Sequence, residues 1–254
     1  CNSSEQKIMK KILFIILSVF LCRPIAAQEY FYTEGSSFTV LGRIFQDNPN
    51  PYHRVDTTRY KGFSTLENEQ VRFPSGISIL FDTDSPSVKV GVTFANTKRM
   101  LTTMPVAYRG FDLYILKNGH WLFAGSGGTC DGNDEYETVL VKGMDRTSKT
   151  CLLYLPIYSE VSSVRIGVEK GSSIGKAESP FKGKIVVYGS SFTQGISTSR
   201  AGMAYPSQLM RRTGIEVASL GCGGNCVLIG EHDGSDCSTG RCGKSVGDDL
   251  GLLL

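Results

Sequence analysis

The sequence has no apolar run long enough to cross a bilayer. Its nearest approach, Ile12 to Leu21, is ten residues, and a helical span needs about 20. Net charge is also small: 27 Lys and Arg stand against 24 Asp and Glu. Lys7, Lys10, Lys11 and Arg23 precede residue 28 against Glu5 alone, so the rest of the chain carries 23 charges of each sign. Nothing there calls for a polyanion, and nucleic acid is not expected as a partner. Histidine is scarce, at three residues, and tryptophan scarcer, at one. With 41% hydrophobic and 20% charged residues, the composition excludes wholesale disorder.

What is present begins with a targeting pattern. Two lysines after Met9, the short apolar run and the small residues Ala26 and Ala27 predict a secretory signal peptide over residues 9–27, cleaved after Ala27. Residues 1–8 precede that start and read as translated upstream sequence. The expectation is an exported chain, periplasmic or extracellular, with no stable membrane anchor after cleavage. Six of the eight cysteines remain, and export permits disulfides, Cys130 with Cys151 being one candidate pair.

Beyond the signal, two regions differ in period. Between Phe38 and Lys170 apolar residues alternate: Ile77, Ile79 and Phe81; Val88, Val90, Val92 and Phe94; Phe111, Leu113 and Ile115. Asn118-Gly119 between two such runs predicts a hairpin. Short strands at this spacing predict an antiparallel sandwich, jelly-roll-like, over residues 30–172. After the polar stretch Lys170 to Gly183, Lys184 to Gly189 (KIVVYG) is a continuous apolar run, as in a strand buried on both faces of a parallel sheet. A helix over GMAYPSQLMRRTG, closed by Gly214, and a strand IEVASLG follow, so a βαβ unit opens an α/β region at residue 182.

Ser191 lies at the carboxyl end of that first strand, where ligands and nucleophiles of such sheets collect. The turn GSSFTQG is not a phosphate cradle, because Ile196 stands where a P-loop needs lysine. GCGGN lacks the dinucleotide spacing, and Thr193 replaces the second glycine of an α/β-hydrolase elbow. A serine that merely caps the next helix is the structural alternative.

VVYGSSFTQG, then SRAGMAYPSQLMRRTG, then SLGCGGN resembles the first two sequence blocks of the SGNH (GDSL-type) hydrolases, most of all the exported bacterial group with an N-terminal β-sandwich. The resemblance implies a flavodoxin-like hydrolase domain. It also implies that Ser191 is the nucleophile, that the Gly224 N–H joins the Ser191 N–H in an oxyanion hole, and that Ser190 occupies the place usual for Asp. The implied substrate is an acylated carbohydrate, most often acetylated, or another small ester. No cofactor or metal is implied.

The family's later blocks, an Asn and an Asp-x-x-His pair, have no match in the 63 residues after Ser191. His232 is preceded at three residues by Ile229, and the Gly-Asn-Asp at Gly132 to Asp134 reads as a sandwich loop. His53 and His120 read as ordinary sandwich residues. From about residue 226 the composition turns Gly- and Cys-rich, and Cys222, Cys226, Cys237 and Cys242 lack the paired spacing of common zinc sites. Residues 182–254 are therefore expected to be a partial hydrolase domain with an atypical tail, as a frameshift or truncation would leave it, and a feeble esterase at most. The rival expectation is a secreted carbohydrate-binding sandwich with a vestigial hydrolase segment, offering Tyr108, Tyr114, Trp121 and Tyr136 as stacking faces.

Overall fold

A computed structural model of the chain describes residues 28–224 apart from Gly62, Met100 and Cys130. The expected signal peptide and the tail with His232, Cys226, Cys237 and Cys242 lie outside the described residues.

Ten strands build two facing antiparallel sheets. One has the order β1 (Tyr30–Glu34), β9 (Ser159–Glu169), β4 (Val88–Thr97), β7 (Glu135–Val141). The other runs β10 (Ile174–Lys176), β3 (Ser78–Thr83), β8 (Lys149–Tyr154), β5 (Phe111–Lys117), β6 (His120–Gly127). There β2 (Thr39–Leu41) shares the outer edge of β3 with β10: Leu41 to Thr39 pair Ser78 to Leu80, and Lys176 to Ile174 pair Phe81 to Thr83.

The alternating residues do what their period predicts. Val88, Val90, Val92 and Phe94 meet Ile77, Ile79, Phe81, Phe111 and Leu113 in one buried core between the sheets. Asn118 and Gly119 both take positive φ, 52° and 78°, and close β5 onto β6. Cys151 is a free thiol buried in this core; Cys130, its candidate partner, lies outside the described residues.

The second sheet is apolar on its other face too. Leu80, Leu152, Tyr114 and Tyr154 pack there against Ala201, Met210 and Val217. Those three residues belong to the α/β part, in which β11 (Lys184–Gly189) pairs in parallel with β12 (Glu216–Gly221). The connection holds a 3-10 turn at Ala201–Met203 and helix α3 (Tyr205–Thr213), with Pro206 in its first turn and Gly214 at φ 70° ending it. The fold is thus a β-sandwich followed by an α/β unit.

Two local expectations change. The polar stretch after Lys170 contains β10, held by Thr83 Oγ1 donating to the Ser173 carbonyl and by the Ser173 N–H donating to Asp84. And β11 is not buried on both faces: Ile185 and Tyr188, which alternation sets on opposite faces, are 39% and 44% exposed. β12 is buried, since it lies against the sandwich.

Candidate active site

The turn bearing Ser191 is compressed across the ends of both parallel strands. Helix α2 (Ser191–Gln194) follows β11 directly and ends at Gly195, whose φ is 111°. A Cβ on Gly189, the last residue of β11, would lie 2.1 Å from Thr193 Oγ1, and one on Gly221, the last of β12, 2.1 Å from the Gln194 nitrogen. Both strands therefore end in glycine for want of space, and the two sequence blocks meet: the register pairs Gly189 with Gly221. The Ser75 hydroxyl donates to the Gln194 carbonyl at 2.5 Å, and the Ser219 hydroxyl to the Thr193 carbonyl at 3.1 Å, fixing the turn from below.

Ser191 is the first residue of this helix. Ser190 is the N-cap, and its side chain makes no capping hydrogen bond. The capping role that competes for Ser191 accordingly belongs to its neighbour's position. Ser191 is half-buried, with Phe192 beside it 74% exposed.

The glycine loop after β12 rises next to it. A Cβ on Gly223 would lie 3.4 Å from Ser191 Cβ, so the loop backbone runs alongside the serine side chain. Gly224 follows with φ 80°, exposed, and among the described residues nothing would crowd a Cβ there, so its backbone conformation is what calls for glycine. The Gly223 N–H is shared between Gln70 Oε1 at 2.5 Å and Gln194 Oε1 at 2.8 Å. It is thus occupied, whereas the donors the family resemblance implies are those of Ser191 and Gly224.

Ser191, Ile196, Gly223 and Gly224 line a cleft of about 170 Å³ whose other wall is sandwich: Gln70, Lys98 and Tyr158. Lys98 Nζ lies 3.6 Å from Glu69 Oε2. Burial pushes the Tyr158 hydroxyl up to about 12, so it stays protonated at neutral pH. No sequence signal pointed to Gln70 or Lys98. Ser64 and Glu67 do form a capping box, a readable start for α1 (Thr65–Val71), but which of its side chains faces the cleft is decided by docking.

The remaining sequence candidates sit elsewhere. His53 Nε2 is 3.1 Å from Glu160, and His120 is exposed at the start of β6. Gly132 to Asp134 is a loop whose Asn133 carbonyl, with that of Asp131, accepts from the buried Arg109 guanidinium, confirming a structural role. Tyr108 and Tyr114 are buried, Tyr136 packs on Phe94, and Trp121 stacks on Phe181 at 5.8 Å and 10°. These rings are engaged in packing, and none is a bare platform for a sugar. Among the described residues there is no His, Cys, Asp and Glu cluster that could hold a metal, and no helix is long and apolar enough to cross a membrane.

Comparison with known proteins adds the following. Residues 28–174 match the family model for the N-terminus of SGNH-hydrolase-type esterases, labelled GxDLY, and Gly110 to Tyr114 spell that motif here. Residues 182–232 match the GDSL-like lipase/acylhydrolase family. A candidate GDSL-like lipase from Bacteroides ovatus ATCC 8483 is 39% identical with a TM-score of 0.74, covering 78% of this chain and 58% of its own. The salicylyl-acyltransferase SsfX3 of a tetracycline biosynthetic pathway is 22% identical with a TM-score of 0.57, covering 78% of this chain and 55% of its own, a likeness of fold. The chain thus spans less than two thirds of either protein. No curated protein matches it.

Proposed function

Because the chain belongs to the SGNH-type esterases, we propose that it is the nucleophile-bearing part of an exported serine ester hydrolase. Ser191 attacks the ester carbonyl, and the N–H groups of Ser191 and Gly224 receive the oxyanion. The alcohol leaves, and water then releases the acyl group from Ser191.

The observation that carries this reading is the meeting of Ser191 with the Gly221–Gly224 loop at paired strand ends. That arrangement sets a hydroxyl beside a backbone whose soft dihedrals let a donor approach closely. A serine hydroxyl needs a base. With His53 facing Glu160 and His120 exposed in a hairpin, the base is proposed to come from outside residues 28–224, as the family's Asp-x-x-His pair does. The substrate class, an acetylated carbohydrate or another small ester, is carried over from the family resemblance. Export rests on the N-terminal pattern.

Hydrolysis of 4-nitrophenyl acetate and of acetylated sugars by the full-length protein tests the proposal, with Ser191→Ala as control. Loss of turnover by about three orders of magnitude or more is expected of the variant. Equal rates for both proteins would sink it.

A further inference from the structure

Two consecutive glycines at the rim of an active site pose a physical problem. Gly223 and Gly224 have the softest backbone of any residues, yet oxyanion stabilisation depends on donors that do not reorient during the reaction. Something outside the loop must hold it. The restraint is supplied by the sandwich: Gln70 Oε1 accepts from the Gly223 N–H at 2.5 Å, and Gln70 Nε2 donates to the Gly223 carbonyl at 2.7 Å. One side-chain amide thereby pairs with both polar groups of a single residue, as a neighbouring strand would.

Gln70 is itself well anchored. It is 2% exposed, and it sits in the last turn of α1, whose start is fixed by the Ser64–Glu67 capping box. Its own carbonyl accepts from Arg54 Nη2 at 2.6 Å. Gln194, at the end of the Ser191 helix, grips the same N–H from the other side at 2.8 Å. Gly223 is therefore tied both to the helix that carries Ser191 and to the sandwich.

We propose that Gln70 is a positioning residue of the ester-cleaving site: its amide holds the Gly223 peptide so that the following Gly224 N–H stays aimed beside Ser191. The proposal rests on the reading of Ser191 as nucleophile. It makes the sandwich a working wall of the catalytic centre.

The test uses the full-length protein with Gln70→Met, which keeps length and volume but removes both hydrogen bonds, and Gln70→Glu. Two readouts apply: kcat and KM on 4-nitrophenyl acetate, and the rate at which a fluorophosphonate labels Ser191. In that labelling Oγ bonds to phosphorus, the P–F bond breaks, fluoride leaves and the hydroxyl proton is released. Gln70→Met is expected to lower kcat and the labelling rate together by about 10-fold or more with KM little changed. Gln70→Glu is expected to fall likewise at pH 8 and to recover relative to wild type at pH 5, because a protonated carboxyl again offers Gly223 one donor and one acceptor. A merely structural glutamine would shift the melting temperature with pH but leave the kcat and labelling rate of the folded variant at wild-type values, so both are read on protein shown to be folded by its melting curve. Wild-type rates in Gln70→Met, or a Gln70→Glu to wild-type ratio that is flat with pH, overturn the proposal; should Gln70→Met not fold, the ratio decides. If Ser191→Ala labels as fast as wild type, or neither labels, the nucleophile reading itself falls. If Ser191→Ala is inert while Gln70→Met labels at full rate, only the role of Gln70 falls.

Discussion

Arg54 donates to the carbonyl oxygen of Gly221 at 2.7 Å, joining a sandwich loop to the last residue of a strand 167 positions later. The guanidinium is fully buried, and among the described residues it has no carboxylate acceptor: the carbonyls of Phe73, Ser219, Gly221 and Gln70 take its N–H groups. Only the planar, five-donor geometry of arginine reaches that many acceptors at once. Burial lowers its pKa, but an arginine starts so high that it stays charged.

Replacing Arg54 by Met removes the charge and leaves carbonyls at the joint without their donor. A loss of about 3 kcal/mol or more is expected in chemical denaturation. Arg54→Lys should recover little of it, since one ammonium cannot span the acceptors. Wild-type stability in both variants would show that the joint is held by the apolar contacts of Leu220, Val55 and Val71 alone.

The crowding at Gly221 predicts a sharp contrast between two glycines. Gly221→Ala puts a methyl 2.1 Å from the Gln194 backbone nitrogen, so the Ser191 helix must move. Ester hydrolysis is expected to drop at least about 10-fold, because small displacements of a nucleophile cost that much. Gly214→Ala meets no described residue within 4 Å and only a positive φ of 70°, so it should cost about 1 kcal/mol of stability with activity retained. Assaying both variants beside their melting curves separates displacement from simple destabilisation.

Asp112, the acid of the Gly110 to Tyr114 motif, predicts a pH effect. It is fully buried, with the Gly202 N–H at 2.9 Å and Arg200 Nε at 3.1 Å. Burial pushes its carboxyl up to about 6, against the opposing pull of Arg200, the Gly202 N–H and the Tyr114 hydroxyl. The folded state then holds the proton more tightly than the unfolded chain, whose carboxyl titrates near the usual 3.8. The contribution of this group is accordingly greatest below about pH 4, declines as pH rises towards 6, and is flat above, by at most roughly 3 kcal/mol. Asp112→Asn should remove that slope from urea midpoints measured between pH 4 and 7. An unchanged slope would mean that Arg200 fully offsets the burial.

Much of the architecture is legible in the sequence because its signals are local. Alternation at Val88 to Phe94 encodes one buried face, Asn118-Gly119 encodes two positive φ angles, and Gly214 encodes a helix end, each within a few residues. Ser191 was legible for the same reason, as a turn at a strand end.

What only the tertiary structure decided involves partners far apart in the chain. Period-two reading of β3 marks Ile79 and Phe81 as core, yet Leu80 is equally buried, because the α/β unit packs on the sheet's other side. The strand inside the polar stretch exists because β3 has a free edge there, which main-chain N–H and C=O groups fill whatever side chains they carry. Gln70 and Arg54 were invisible for a related reason: their partners are main-chain N–H and C=O groups of Gly223 and Gly221, and those groups are the same at every residue except proline. Local pattern determined which faces and turns the chain would have. Only packing determined which peptide each buried polar side chain would hold.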